Sequence, residues 1–181
     1  MQEEFVFSGF GGQGVMFVGQ LLSYAAMDEG LEVTWIPSYG PEMRGGTAHC
    51  TVVIADQPIG SPIVRNPKTA VVFNLPSFEK YESLVKSGGL LAINSALIEE
   101  KCSRTDITAL EVPVTNLAEE VGSVRVANIV MLGALLTALP VVPIERVKAA
   151  LEGHLPAHRR NLMEINFAAL ERGAEYVGAM G

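Results

Sequence analysis

Residues 4–19 read EFVFSGFGGQGVMFVG. Glu4 to Ser8 is an apolar run of strand length, residues 9–14 bring four glycines, and an apolar pattern with helical spacing follows. The order is strand, turn, helix. Gly9, Gly11 and Gly14 match G-x-G-x-x-G, and Gly12 adds a fourth glycine. Without side chains, such a turn lets backbone N–H groups approach a phosphate, and the helix starting near Gly12 adds the positive end of its dipole. The same glycines would also serve a tight turn that holds nothing.

Outward from this turn, Val15, Val18, Leu22, Ala25 and Ala26 recur at helical offsets, so a helix over 12–29 can pack one face on a sheet before Gly30 ends it. Strands are expected at Leu31–Pro37, Thr47–Asp56, Thr69–Asn74, Leu90–Asn94 and Leu110–Val114, with an extended piece at Ile59–Val64. A helix at about Ser77–Val85 falls between two of them. A short helix capped by Thr115 runs to Val121, and helices over Val126–Leu139, Ile144–Gly153 and Asn161–Val177 fill the remainder. Strands alternating with helices predict an α/β, Rossmann-like layered fold with a mainly parallel sheet and a helical C-terminal third, with residues 1–181 as one domain.

The chain has 181 residues, 49% of them hydrophobic, and a net charge of -7. Its pI near 5.0 gives no broad basic footprint for nucleic acid or an anionic membrane. Any anionic ligand must therefore be held locally. The N-terminal MQEEFVF lacks the pattern of an export signal, which predicts a cytoplasmic protein. Residues 126–144 carry no charge, but Pro140 and Pro143 cut the helix too short to cross a membrane, so it reads as the centre of a protein. Cys50 and Cys102 belong to no ligand array and read as free thiols.

A nicotinamide-binding unit would place an acid at the end of the second strand to hold the ribose, yet that strand ends Trp35, Ile36, Pro37. A P-loop is excluded, because Gln13-Gly14-Val15 stands where Gly-Lys-Ser/Thr is needed. The next loop, SYGPEMRGG over residues 38–46, should leave the same sheet edge as the glycine turn, so that both face one crevice. There Arg44 could grip a phosphate in a forked geometry and Ser38 or Tyr39 could donate a hydroxyl; an Arg44–Glu42 surface pair is the plainer reading.

Taken together, GFGGQG at 9–14, PSYGPEMRGGTAHCTVVIAD at 37–56, NLPSFEKY from Asn74 and RVANIVMLGAL from Arg125 resemble the gamma subunit, or gamma domain, of the 2-oxoacid:ferredoxin (acceptor) oxidoreductases over essentially the whole chain. Complexes of that family decarboxylate a 2-oxoacid on thiamine diphosphate, pass electrons through iron–sulfur clusters to ferredoxin or a similar acceptor, and release an acyl-coenzyme A. The resemblance implies that this chain contributes to coenzyme A binding and assembly, through Gly9, Gly11, Gly12, Gln13 and Gly14 in the first loop and Ser38, Arg44, Gly45 and Gly46 in the second. Thiamine diphosphate, its Mg ion and the clusters would then lie in partner subunits, since the chain has neither a thiamine signature nor cluster cysteines. The short form and SYGPEMRGG lean toward the 2-oxoglutarate or branched-chain (2-oxoisovalerate) types. The alternatives are an independent NAD(P)-binding oxidoreductase and a ligand-free structural module.

Other residues read as structural. His49 and Cys50 are neighbours on a strand and point to opposite faces, so they cannot form a nucleophile–base pair. Asn128, inside the apolar helix, reads as a structural hydrogen bonder. His154, His158, Arg159 and Arg160 form a basic cluster between two helices, either a solvated loop or a contact for an acidic surface or the far end of the coenzyme.

Overall fold

The computed structural model describes residues 1–38 and 47–181. The first strand is longer than its apolar run: β1 spans Gln2–Phe10, and it takes the centre of a six-stranded sheet. The other strands are β2 (Glu32–Ser38), β3 (Thr47–Ala55), β4 (Thr69–Val72), β5 (Leu90–Asn94) and β6 (Thr108–Val112), in the order β2-β3-β1-β4-β5-β6. Residues 59–64 form no strand.

Five strands run one way, and β1 pairs with β4, β4 with β5 and β5 with β6 in parallel. β3 runs against them. It sits between β1 and β2, antiparallel to both, with Phe10 opposite Thr47 and Ser38 opposite His49. This is the departure from a doubly wound sheet, in which the second strand would lie directly beside the first. The C-terminal ends of β1 and β2 still reach the same edge, because two antiparallel steps restore direction.

Helix α1 (Val15–Asp28) lies on one face of the sheet with α3 (Val114–Glu120), α4 (Ala127–Ala138), α5 (Ile144–His154) and α6 (Met163–Gly178). Phe5 and Phe7 of β1 enter the larger core they form, along with Val18, Leu22 and Ala25 of α1. The alternate residue Val6 points the other way, into a smaller core under α2 (Leu75–Glu82), and Ser8 on that face shares a hydrogen bond with Ser77 at 2.8 Å. Gly30 at φ 78° closes α1, with Leu31 N–H donating back to Ala26 O.

The charge-free helix is indeed central. Every residue of α4 from Asn128 to Leu136 is buried. Its tightest neighbour is α6, where a β-carbon on Gly173 would fall 1.9 Å from Val130 O and one on Gly133 would fall 2.0 Å from Leu170 O. Bare backbones therefore touch at that crossing. Thr115 does not cap α3 as expected. Pro113 holds the cap position, and the Thr115 hydroxyl instead accepts from Asn94 Nδ2 at 3.0 Å, tying α3 to the end of β5. Among the described residues no helix is long and apolar enough to cross a membrane.

Candidate functional site

The chain leaves β1 at Phe10 and enters α1 at Val15, and the glycines between divide into two kinds. Gly9 and Gly14 make room for protein atoms. A β-carbon on Gly9 would fall 2.6 Å from Gln13 Oε1, and one on Gly14, already at φ 73°, would fall 2.3 Å from Asn128 Nδ2. Gly11 and Gly12 have nothing within 4 Å of that position, so their faces are open; Gly12 also needs its positive φ of 92°.

Gln13 holds the turn together. Its Oε1 accepts from Phe10 N–H at 2.7 Å, its Nε2 donates to Phe73 O at 3.2 Å, and its own N–H donates to Phe10 O at 3.2 Å. The turn is thereby pinned to β1 and to the end of β4. This narrows the expectation that all N–H groups of Gly11 to Gly14 face a ligand, because that of Gln13 is already engaged. The helix contributes donors of its own. Its first internal bond runs from Val18 N–H to Gly14 O, so the N–H groups of Val15, Met16 and Phe17 begin the helix without partners inside it.

Asn128 ties the turn to α4. Its Nδ2 donates to Gly14 O at 3.1 Å and its Oδ1 accepts from Ile129 N–H, which accounts for a polar residue in an otherwise apolar helix. Ser38, half-buried, ends β2 two strands away from β1 at the same edge, in register with His49 and through it with Ser8. Arg44, Gly45 and Gly46, with Tyr39 and Glu42, lie outside the described residues. The segment that carries them begins after Ser38 and ends at Thr47, which pairs with Phe10 beside the turn.

Three adjoining clefts follow α1 away from the glycines. The first, about 280 Å³, is bordered by Phe10, Gly11, Gly12 and Ala48. The second, about 340 Å³, starts at Gly14 and is bordered by Arg125 and Arg159. A third of about 300 Å³ reaches Tyr24 and His154, whose rings stack at 4.0 Å. Phe17 borders all three, and no described Asp or Glu borders any of them. In a chain with 20 acidic residues, none of the described ones is on the lining of this trough, although Asp28 meets His154 at its far end. Arg125 and Arg159 border the second cleft together through tertiary packing; Arg159 stood out in the sequence only as part of the basic cluster.

The remaining candidates have settled structural surroundings. Cys50 is fully buried against α1 with Sγ 3.2 Å from Val15 O, and burial pushes its thiol up to about 12. His49 faces the other side, edge-on to Tyr81 at 6.4 Å. Cys50 and His49 thus lie on opposite faces of the sheet. His154 lies 3.3 Å from Asp28. Among the described residues no group of three or more His, Cys, Asp or Glu could hold a metal ion.

A family model described as pyruvate ferredoxin/flavodoxin oxidoreductase matches residues 4–176. The chain is 37% identical over 171 residues to ketoisovalerate oxidoreductase subunit VorA of Methanothermobacter marburgensis, covering 93% of this chain but 35% of that one. It thus spans about a third of the length of that relative. It is 36% identical over 178 residues to 2-oxoglutarate synthase subunit KorC of Methanocaldococcus jannaschii, covering 97% and 94% of the two. Among solved structures it is similar to the gamma subunit of a keto/oxoacid ferredoxin oxidoreductase from Geobacter sulfurreducens, with TM-score 0.84, 31% identity and coverage of 98% and 99%. It also shares its fold with part of the 2-oxoglutarate:ferredoxin oxidoreductase of Magnetococcus marinus, a structure with 2-oxoglutarate, coenzyme A and succinyl-CoA bound. There the TM-score is 0.89 at 21% identity, over 99% of this chain and 32% of that one.

Proposed function

Because the chain belongs to the pyruvate ferredoxin/flavodoxin oxidoreductase family, we propose that it is the gamma subunit of a 2-oxoacid:ferredoxin (acceptor) oxidoreductase and supplies part of its coenzyme A site. In this reading residues 1–181 act as one gamma domain of a cytoplasmic complex, which converts a 2-oxoacid and coenzyme A to acyl-CoA and CO2. The observation that carries the coenzyme A assignment is the open face of Gly11 and Gly12 in a trough bordered by no described carboxylate. Backbone there approaches a diphosphate as closely as backbone can, and the first N–H groups of α1 add donors with the helix dipole behind them.

The chain's own contribution is binding and orientation. Gln13 and Asn128 hold the turn before any ligand arrives, which lowers the ordering cost of binding. Ser38, Arg44, Gly45 and Gly46 of the second loop are proposed to contribute to binding the same ligand. We assign thiamine diphosphate, its Mg ion and the iron–sulfur clusters to thiamine-binding and cluster-bearing partner subunits, in keeping with the lack, among the described residues, of three or more grouped His, Cys, Asp or Glu able to hold a metal ion. The relatives' names keep 2-oxoglutarate and branched-chain 2-oxoacids as the substrates to try first.

The nicotinamide alternative is less well supported, since β3 separates the end of β2 from the glycine turn and the last residues of β2, Trp35 to Ser38, include no acid. The deciding experiment is affinity purification of the chain from its own cells, with identification of co-purifying chains and an assay of coenzyme A-dependent 2-oxoacid oxidation. Co-purification of a thiamine-binding chain with that activity is expected. A lone chain, or activity indifferent to coenzyme A, overturns the proposal.

A further inference from the structure

We infer that Arg125 and Arg159 form a second phosphate seat, separate from the glycine turn, that recognises the ribose 3′-phosphate of coenzyme A and so distinguishes it from dephospho-coenzyme A. This rests on the coenzyme A reading above and adds to it the residues that set specificity.

The first support is which cations the fold leaves unpaired. Lys68, Lys86, Lys101, Arg104, Arg146, Lys148 and Arg172 each meet a carboxylate. Arg65, Lys80, Arg125, Arg159 and Arg160 have no carboxylate partner among the described residues, and of these five Arg125 and Arg159 border one and the same cleft. Two guanidiniums bordering one cleft with no described carboxylate on its lining suit an anion that accepts from both.

The second support is the match between donors and phosphate type. A diphosphate linkage carries about one charge per phosphorus and is well served by neutral N–H groups and a helix dipole, as at Gly11, Gly12 and the start of α1. A phosphate monoester carries about -1.5 to -2 near neutral pH and is best met by arginine forks. Coenzyme A carries both kinds, on the two sides of one ribose. The trough offers both kinds of seat in adjoining clefts that share Gly14 and Phe17.

The third support is the surroundings. Phe17, Leu155, Leu162 and Ile165 line the arginine cleft, so its ion pairs would form beside apolar surface rather than in open water. Both arginines also stand on short 3-10 helices, Val124–Val126 and Ala157–Leu162, the first opened by Ser123 Oγ accepting from Arg125 N–H. The first leads directly into α4, which carries the Asn128 bond to Gly14. The spacing from turn to arginine is therefore fixed by the fold.

The test compares kcat/KM for coenzyme A and dephospho-coenzyme A in the assembled complex. The wild type should favour coenzyme A by about tenfold or more, the scale of hydrogen bonds to charged groups. In Arg125→Gln and Arg159→Gln the ratio should fall toward one, and Arg159→Lys should keep part of it. Arg65→Gln, at an exposed position away from the three clefts, should leave the ratio where it was. A wild-type ratio near one overturns the inference whether or not any variant assembles. So does an unchanged ratio in both glutamine variants, or an equal loss with both substrates. Each of those results leaves the coenzyme A reading standing; that reading falls separately, if the complex needs no coenzyme A.

Discussion

Two alanine substitutions three residues apart should behave oppositely. At Gly14, alanine must adopt φ 73°, which costs an L-residue roughly 1–2 kcal/mol. Its β-carbon also falls 2.3 Å from Asn128 Nδ2 and drives that amide off Gly14 O. Asn128 is 4% exposed, so the abandoned amide adds about 1–3 kcal/mol. For a chain of this size, a loss of about 2–5 kcal/mol lowers Tm by roughly 5–15 °C. At Gly11 nothing lies within 4 Å and φ is not positive, so alanine removes freedom from the unfolded chain and should leave Tm unchanged or raise it slightly. The added methyl points where a ligand would lie, and about 1–3 kcal/mol of overpacking would raise the KM for coenzyme A by tenfold or so. Thermal unfolding of the purified chains and coenzyme A kinetics of the complexes measure the two effects. A Gly11→Ala complex with unaltered coenzyme A KM, or a Gly14→Ala chain as stable as the wild type, would refute the division of the glycines.

Gly173→Ala should cost about 3 kcal/mol by forcing α6 off the backbone of α4, read as a fall in denaturation midpoint. Arg104 holds the Asp106 carboxyl down to about 2, so the stability this pair adds is full above the ordinary carboxylate range and is lost as pH falls from about 4 through 2. Asp106→Asn should therefore flatten the acid limb of the stability profile in that window, and an unchanged limb would count against the pairing. In the native chain a thiol reagent at pH 8 should modify half-buried Cys102 well before Cys50, whose burial and raised pKa protect it; equal labelling by mass spectrometry would contradict the packing of α1 on β3.

The strand-turn-helix unit was legible because local chemistry decides it: apolar alternation, glycines, then helical spacing. The burial of α4 was legible for the same reason. The direction of β3 was not read, since strand direction depends on the pairing partner rather than on the strand's own residues. A clue was present all the same, for a parallel neighbour needs a crossover of about a dozen residues or more, and only residues 39–46 lie between β2 and β3. The G-x-G-x-x-G spacing could not distinguish the open glycines from the filled ones. That difference comes from Gln13 folding back over Gly9 and from Asn128, 114 positions away, reaching Gly14. Arg125 and Arg159 likewise lie on separate segments that only the packing of α4, α5 and α6 brings together.

The crossing of α4 and α6 also sets an order of events during synthesis. A chain made from its N-terminus presents α4 well before residues 163–178 exist, and for that interval a helix apolar on every side lacks the neighbour that its glycines are shaped to meet. Ribosome-bound chains ending after α5 should thus be the ones that chaperones hold, with release following the emergence of α6.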